Sequence, residues 1–572
     1  MKNTILTLFT TILFLSSYAQ EKPADFPFGP INSNARGIFG EDDRVEIKDA
    51  EGFQEFARAT AVMIPKSSVD GNRIYALSLK HQLEFTFNVS KFDKNVKFLD
   101  QPTAGRCSGF LIAPDVFVTA GHCVQTIGDA QDYIYLFDYT SNLSFNIEEN
   151  YFVFDPKNAY EAVEVLTSVF SDRTVEKNNR EDYAVIKLDR QSKRAPYRFR
   201  TSGSVKENTN IYTIGAPTGL PLKFSEKAIV VDGEPKKWFK TSIDAFPGNS
   251  GGPVFDQNGF IEGILVRGAV QYANGSYTGD YKYDNKCKCV KTVYFETVDF
   301  TAGCQTQRIS EIPEDILVNS IYSNIKYAIE NKLEKRFEQW NDFNWIFLSE
   351  HLNERVRLED IAIASKNYTA LSRILEYTID DLSNDKKREY LDIAFAQNDL
   401  ELLTLFLNKE VYADVGKANN TLLSKSVKTN NVEFVRTLLS YGANIEVKDT
   451  NGNSLLDICA ENRYLKIAKL LIANGLKPDD TLLSKSVKSD NLEIVKILLN
   501  NDVNIEVKDA NENTLLHFCA QKGYSEMAKL LIANGLKPNT KNNRRRYPEK
   551  TARKNGFKSL GKYLKRVRKN RL

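Results

Sequence analysis

A serine inside a glycine-rich turn is the first residue whose surroundings point to chemistry. Residues 248–252 read Gly-Asn-Ser-Gly-Gly, so the backbone around Ser250 can turn sharply and direct its N–H groups into a cleft. The N–H groups of Gly248 and Ser250 would then form an oxyanion hole. An ordinary turn has the same composition, so a nucleophilic serine also requires a base and an orienting carboxylate elsewhere in the chain.

Both partners occur upstream of the serine. His122 is one of only four histidines and follows two short apolar runs that are split by Pro114-Asp115. Asp182 precedes the alternating run Tyr183–Leu188, which predicts a strand. Taken alone, this acid is as typical of a strand cap as of a catalytic group.

The three residues together resemble a known catalytic set. The order His122, Asp182, Ser250, with Gly-Asn-Ser-Gly-Gly-Pro at the serine, resembles the trypsin/chymotrypsin-like serine peptidases, including their bacterial branch. The resemblance covers roughly residues 59–310 and implies an all-β double β-barrel. It also implies that Ser250 attacks a peptide carbonyl, that His122 transfers the proton and that Asp182 fixes the imidazole tautomer. No cofactor and no metal are expected.

The same resemblance implies a disulfide and says something about activation. Cys107 and Cys123 bracket the strand pair that delivers His122, as a disulfide does in this family. Asn249 stands where trypsin-like zymogens have an aspartate that pairs with a newly cut N-terminus. An amide cannot form that ion pair, so trypsin-type activation is not expected.

Substrate preference is less well defined by the sequence. Asp244 lies six residues before Ser250, where trypsin has the aspartate that binds basic side chains, but it also fits the start of a turn. Val266, Arg267 and Gly268 resemble the family strand that lines the substrate backbone. Arg267 could instead favour acidic neighbours in the substrate, so the preference stays open.

The first residues have the features of an export signal. Lys2, an apolar stretch over residues 5–15 and small residues at Ser17 and Ala19 predict a cleaved signal peptide over residues 1–19. The apolar stretch is shorter than a bilayer span, which disfavours an uncleaved anchor. We therefore expect a secreted or periplasmic protein, with no transmembrane segment after cleavage, in a compartment that permits disulfides.

The chain is too long for one core, and its sequence patterns change along its length. Period-two runs at Glu84–Val89, Tyr133–Phe137 and Ile211–Ile214 predict short antiparallel strands, whereas helical spacing replaces them from about Pro313 to Asn353. The expected organisation is multidomain: a signal peptide at 1–19, an N-terminal arm or pro-segment at 20–58, the peptidase-like domain at 59–310, a helical connector at 311–355 and a repeat array at 356–572.

The C-terminal part of the chain repeats itself. Residues 421–428 recur as 481–488, 444–449 as 504–509 and 470–478 as 530–538, each time with an offset of 60. Units begin near Thr421, Ser454, Thr481 and Thr514, and their spacings of 33, 27 and 33 resemble ankyrin repeats. The resemblance implies an all-α solenoid of about seven units, with a short loop after the 27-residue unit, which lacks one finger segment.

The remaining cysteines and one histidine fit structural roles. Cys287, Cys289 and Cys304 allow one further disulfide and one thiol, and a metal site there would lack a fourth ligand. Cys459 and Cys519 occupy equivalent positions two units apart, too distant for a disulfide, so they are expected as buried thiols. His517 lies in Thr-Leu-Leu-His-Phe-Cys-Ala, which resembles the ankyrin signature, and is expected to stabilise a turn.

These patterns favour an exported serine endopeptidase whose repeats bind a protein or regulate the enzyme. The alternative is a catalytically silent protein-binding scaffold built on a peptidase fold. The last 32 residues hold 14 Lys and Arg and one acid, Glu549. We interpret them as a solvated capping helix, although binding to an anionic polymer or a membrane surface stays open. A protein or peptide substrate and a protein ligand of the repeats are expected, and nucleic acid is not expected as a dedicated ligand.

Overall fold

A computed structural model describes most of the chain beyond residue 41. The described residues are 42–171, 174–201, 203–234, 237–267, 272–273, 276–277, 281–293, 304–338, 357–414, 421–449, 451–501 and 503–570. The chain divides into two units, Met1–Ala370 and Leu371–Leu572. The predicted signal peptide lies outside the described residues. Within the described ranges, no helix combines the length and the apolar character needed to cross a membrane.

Short strands make up most of the first unit, as the alternating sequence predicted. The first twelve are β1 Val45–Glu46, β2 Thr60–Pro65, β3 Val69–Asp70, β4 Arg73–Tyr75, β5 Cys107–Ala113, β6 Val116–Thr119, β7 Tyr133–Phe137, β8 Phe145–Asn146, β9 Tyr151–Val153, β10 Ala159–Tyr160, β11 Ala162–Phe170 and β12 Asp182–Leu188. The others are β13 Arg198–Phe199, β14 Asn210–Gly215, β15 Lys223–Asp232, β16 Trp238–Thr241, β17 Pro253–Asp256, β18 Phe260–Arg267, β19 Tyr272–Ala273, β20 Ser276–Tyr277, β21 Tyr281–Asp284, β22 Cys289–Thr292 and β23 Cys304–Arg308.

The first of the two large sheets is a half-barrel. Its strand order is β10-β7-β2-β5-β6-β12-β11, and the described pairings leave β10 and β11 as its edges. Only Glu161 separates these two strands in the sequence. The chain therefore connects the two edges, although the described pairings include no ladder hydrogen bonds between them. Side chains such as Leu111, Phe117, Tyr135 and Ile186 fill its interior.

The second sheet closes into a six-stranded barrel. The order is β15-β14-β17-β18-β23-β16, and β16 pairs again with β15. Residues 42–58, expected as an arm or pro-segment, pack against this barrel. Strand β1 pairs with β15, and the rings of Phe53 and Phe224 lie 4.2 Å apart. Phe53 is buried, so these residues contribute to the hydrophobic core.

One predicted strand is a helix. Residues Glu84–Val89 alternate as a strand would, but Leu79–Phe87 forms the helix α1. The Ser78 side chain accepts a hydrogen bond from the His81 N–H and caps its first turn. Leu79 and Leu83, four residues apart, are buried on one face, whereas Phe85 is 88% exposed. The cap and the helical spacing of the leucines therefore override the local alternation.

Helices complete the first unit. They are α2 Ile127–Gln131, α3 Glu314–Glu330, α4 Glu334–Glu338 and α5 Leu358–Ala364. The predicted connector begins with α3, and the buried Asn324 of that helix donates a hydrogen bond to Ile112 O on β5 over 2.6 Å. This helix therefore packs onto the half-barrel. Residues 339–356 of the connector lie outside the described residues.

The second unit consists of paired helices, as the repeats predicted. The six pairs after α6 Tyr368–Thr378 are α7 Asn384–Ala396 with α8 Leu400–Asn408, α9 Leu422–Lys428 with α10 Val432–Ser440, α11 Leu455–Asn462 with α12 Leu465–Ala473, α13 Asp480–Lys488 with α14 Leu492–Leu499, α15 Leu515–Lys522 with α16 Ser525–Ala533, and α17 Pro548–Lys554 with α18 Lys558–Arg568.

In the array, the loop lengths and the role of His517 agree with what the sequence predicted. Only residues 474–479 separate α12 from α13, whereas longer fingers precede α11 and α15. His517 Nδ1 accepts a hydrogen bond from the Thr514 N–H, and its Nε2 lies 2.9 Å from Arg546 O. Burial lowers the pKa of His517, so the neutral ring stabilises the turn.

Cys459 and Cys519 are buried thiols, and burial raises the pKa of each to about 12.

Candidate active site

A buried carboxylate holds the predicted base. Asp182 begins strand β12 and is 3% exposed. Its Oδ1 accepts the His122 backbone N–H over 2.9 Å, and its Oδ2 lies 2.9 Å from His122 Nδ1. Because a carboxylate can only accept, Nδ1 carries the proton and Nε2 is left as a proton acceptor. The Asp182 N–H in turn donates to Gln307 Oε1 on β23, so the second barrel helps to fix this residue.

His122 reaches Asp182 through a tight turn at the end of β6. A Cβ on Gly121 would lie 2.0 Å from Val169 O, so only glycine lets the turn approach β11 this closely. A disulfide joins Cys123 to Cys107 on the neighbouring β5, with the Cα atoms 6.4 Å apart. The His122 side chain remains 30% exposed, and the Phe170 ring lies edge-on 6.0 Å away. The imidazole is thus anchored on one side and open on the other.

The serine loop is held by a residue of the half-barrel. Ser108 on β5 is fully buried, and its N–H donates to Ser250 O over 2.8 Å. Its hydroxyl donates to Gly248 O over 2.8 Å and accepts from the Ala216 N–H over 3.0 Å. Ser108 therefore fixes the backbone on both sides of Asn249. Sequence reasoning missed this role, because the only local sign is the position of Ser108 next to Cys107.

The backbone of this loop requires glycine at residue 248. Gly248 has a φ of 98°, and a Cβ there would lie 2.3 Å from Ala216 O. Within the described ranges, neither the Gly248 N–H nor the Ser250 N–H donates a hydrogen bond to another group of the chain. The N–H groups of Gly248 and of the predicted nucleophile Ser250 are therefore available to an external oxygen. Asn249 is buried, and its Oδ1 has no hydrogen-bond partner among the described residues.

The histidine turn and the serine loop lie side by side. Cys123 follows His122 directly, and its Sγ lies 4.0 Å from Ser250 O. In the part of the chain that the structure describes, no hydrogen bond joins His122 to Ser250. Catalytic hydrogen bonds are often longer in a free enzyme than in its substrate complex. The sulfur atoms of Cys107 and Cys123 also approach the His122 ring, but as a disulfide they offer no thiolate to a metal.

Family models match both parts of the chain. The model for a trypsin-like peptidase domain matches residues 107–264, and the model for ankyrin repeats matches residues 391–481 and 456–542. The chain carries a trypsin-like peptidase domain followed by ankyrin repeats. The peptidase match begins at the disulfide cysteine Cys107 and includes His122, Asp182 and Ser250.

Similar curated proteins share only a part of this chain. The ankyrin repeat and KH domain-containing protein mask-1 of Caenorhabditis elegans is 29% identical over 160 residues, which are 27% of this chain and 6% of that protein. Protein VAPYRIN-LIKE of Medicago truncatula is 29% identical over 126 residues, 21% of this chain and 27% of that protein. A crystal structure of the ankyrin repeat protein EF0377 covers 31% of this chain and 97% of its own, with 22% identity and a TM-score of 0.29.

The residue expected at the base of the specificity pocket faces the N-terminal segment. Asp42, Asp43 and Arg44 of that segment all influence the ionisation of the Asp244 carboxyl. Burial, together with repulsion from Asp42, raises the pKa of Asp244 to about 6. Burial and the repulsion from Asp244 raise the pKa of Asp43 to about 8. At neutral pH this carboxyl pair therefore retains a proton, which lies on Asp43 because its pKa is the higher of the two.

A second residue of the N-terminal segment touches the same loop of the peptidase domain. Arg44 is 1% exposed, and its guanidinium lies 3.8 Å from the centre of the Phe246 ring. Its Nε and Nη2 donate to the two carboxylate oxygens of Asp42 over 2.8 and 2.7 Å. The segment from Asp42 to Arg44 therefore packs against the residues that lead into the nucleophile turn. Sequence reasoning missed this contact, since nothing local in the segment indicates its partner.

Two of the other predicted pocket residues belong to strand β18. Val266 is buried and Arg267 is half-buried, whereas Gly268 lies outside the described residues. The preceding residue, Leu265, exchanges backbone hydrogen bonds with Gly251 and Gly252 over 2.7 and 2.9 Å. Strand β18 thus also supports the serine loop of the peptidase domain.

The late cysteines of the peptidase domain divide as the sequence allowed. Cys287 and Cys289 form a disulfide, and Cys304 is a buried thiol. The Cys304 Sγ donates to Ile243 O over 3.0 Å, next to Asp244. The thiol therefore helps to hold the segment that leads to the nucleophile.

Proposed function

We propose that the protein is an exported serine endopeptidase that hydrolyses peptide bonds through His122, Asp182 and Ser250. The observation that carries the proposal is the buried Asp182 carboxylate, which accepts hydrogen bonds from both the backbone and the ring of His122. This arrangement orients Nε2 as a general base. A peptidase fold that had lost its chemistry would not need to keep this buried charge and its paired imidazole.

In the proposed reaction, the Ser250 hydroxyl attacks a peptide carbonyl and passes its proton to His122 Nε2. The carbon–oxygen bond forms as the carbonyl oxygen becomes an oxyanion, which the Gly248 and Ser250 N–H groups stabilise. His122 then gives the proton to the leaving amine, and an acyl-enzyme remains on Ser250. Water attacks this ester with His122 again as the base, which releases the acid product and restores the hydroxyl.

The repeats support the second part of the proposal. Ankyrin arrays expose fingers and helix faces that bind proteins, so we assign the array to a protein ligand or to regulation of the enzyme. Export is proposed from the predicted signal peptide at residues 1–19 and agrees with two disulfides in the peptidase domain. N-terminal sequencing of the protein recovered outside the cytoplasm should begin at Gln20.

A fluorophosphonate probe tests the catalytic proposal. The wild-type chain should be labelled stoichiometrically, and Ser250→Ala should abolish labelling. Ser67→Ala is a matched control, because it removes an exposed hydroxyl in the turn that follows β2. It should leave labelling unchanged. An unlabelled wild-type chain, or equal labelling of Ser250→Ala, would instead favour a catalytically silent scaffold.

A further inference from the structure

The C-terminal repeat concentrates positive charge that the chain itself does not neutralise. Of 77 Lys and Arg residues, 14 lie within residues 541–572, whereas only one of 74 Asp and Glu residues does. That acid, Glu549, is 4% exposed and accepts a hydrogen bond from Arg568 Nε over 2.9 Å. The charge of Glu549 is therefore paired with Arg568 inside the repeat, and the surface of the repeat is strongly basic.

Four lysines form a row along the last helix. Lys558, Lys562, Lys565 and Lys569 follow one another at intervals of four, three and four residues on α18 and its C-cap, so they lie on one face. Leu560 and Leu564 are buried on the other side of the helix. At about 1.5 Å per residue, the lysine row is roughly 16 Å long, with about 5–6 Å between successive positions.

Helix stability does not explain the lysine row. A cation in the last turn is favoured by the helix dipole, which accounts for Lys565 and Lys569. Lys558 is the first residue of the helix, where the dipole disfavours a cation, and Lys562 lies four residues beyond it. Like charges at this spacing repel each other. The dipole therefore disfavours Lys558, and the repulsion within the row is a cost that an anionic partner would relieve.

Two lysines on other helices of the array are paired, in contrast to the row. Lys496 binds Glu493 over 2.6 Å, and Lys529 binds Glu526 over 2.7 Å. Among the described residues, none of the four row lysines has a carboxylate within ion-pair distance. Lys558, Lys562 and Lys569 are exposed, and Lys565 is half-buried. The charges of the row are therefore available to a partner.

From these observations we infer that the lysine row binds a linear anionic polysaccharide. A membrane-binding helix would offer an apolar face, but the apolar face of α18 is buried within the repeat. A site for single-stranded nucleic acid would use aromatic faces for stacking, whereas Arg568 and Lys541 cover the Tyr547 ring at 4.3 and 5.2 Å. Regularly spaced ammonium groups on an open, polar face suit the sulfate or carboxylate groups of an extended sugar chain.

Binding of dextran sulfate, compared with unmodified dextran, tests the inference. The assay uses the full chain carrying Ser250→Ala, so that it does not depend on catalysis or on the proposed function. In the row variant, Lys558, Lys562, Lys565 and Lys569 are all changed to Gln. Its affinity should fall about tenfold or more, and the slope of log K against log salt should shrink by about 3.

Two further variants separate position from total charge. Lys466, Lys469, Lys496 and Lys529, changed together to Gln, remove the same charge from other helices and should leave binding unchanged. Arginine at the four row positions should retain binding, and circular dichroism should show native helix content in every variant. Equal losses in the row and control variants, no preference for dextran sulfate over dextran, or tighter binding to phosphatidylglycerol vesicles or duplex DNA would each overturn the inference.

Discussion

The hydroxyl of Ser108 donates a hydrogen bond to the carbonyl of Gly248 over 2.8 Å, across 140 residues of sequence. The bond connects strand β5 of the half-barrel to the turn that carries Ser250. It also fixes the peptide unit that follows Gly248, because the carbonyl cannot rotate without breaking it. The peptide unit that lies between the two proposed oxyanion donors is therefore held by a residue outside the catalytic set.

We expect Ser108→Ala to lower kcat about tenfold to hundredfold with little change in KM, since loss of a full oxyanion donor costs about 10²–10³. The variant should also lose about 1–3 kcal/mol of stability, because the buried Ala216 N–H is left without its acceptor. Thr60→Val is the control: it breaks the buried hydrogen bond to Tyr197 and should reduce stability but not kcat. Comparable kcat losses in the two variants would show that Ser108 acts only through stability.

Asp182→Asn should reduce kcat by about 10⁴-fold while the fold is retained. The amide can still accept the His122 backbone N–H, but its NH₂ group favours the ring tautomer with the proton on Nε2, which is then no longer a base. Initial rates of peptide hydrolysis measure the effect. Asp132→Asn changes an exposed aspartate of the same domain and should retain full activity; retained activity in Asp182→Asn would contradict the assigned role.

Asp43→Asn should make the stability of the peptidase domain less dependent on pH between about 4 and about 8. The pKa of Asp43 is about 8 in the folded chain and near 3.8 in an unfolded one, because burial and the repulsion from Asp244, Asp42 and Glu226 disfavour ionisation. The folded state therefore holds a proton that the unfolded state has released, and stability falls as the pH rises from about 4 to about 8.

Chemical denaturation at pH 5 and pH 8 measures this effect. The wild-type domain should lose more stability between the two pH values than Asp43→Asn does, because the amide does not ionise. Asp49→Asn changes an exposed aspartate of the same segment and should behave like the wild type. An identical pH dependence in Asp43→Asn and the wild type would refute the retained proton.

Arg44→Met should destabilise the peptidase domain by about 3–5 kcal/mol, because it leaves the buried Asp42 carboxylate without the guanidinium that pairs with it. Removing both charges, with Arg44→Met and Asp42→Asn together, should recover most of that loss. Denaturant unfolding of the wild type, both single variants and the double variant gives the coupling energy. Additive losses would indicate that the two side chains do not stabilise each other.

Local sequence patterns determined the secondary structure wherever one pattern dominated. The alternation in Tyr133–Phe137 gave a strand, and the 60-residue duplication gave paired helices with one short loop. At Glu84–Val89 the alternation wrongly predicted a strand. The Ser78 cap and the two buried leucines favour a helix, and they act over a longer stretch of sequence than the alternating run. The order of the motifs likewise indicated His122, Asp182 and Ser250 as candidate catalytic residues, because catalytic chemistry restricts residue type and order.

Contacts between distant segments were decided only by tertiary structure. Ser108 reaches Gly248 because β5 and the serine loop meet between the two sheets, and no local pattern in either segment records that meeting. Asp43 and Arg44 look like ordinary charged loop residues, yet the pairing of β1 with β15 places them beside Asp244 and Phe246. A motif records the residue types that a reaction needs within a short stretch of sequence. Burial and shifted pKa values depend instead on which surfaces the folded chain brings together.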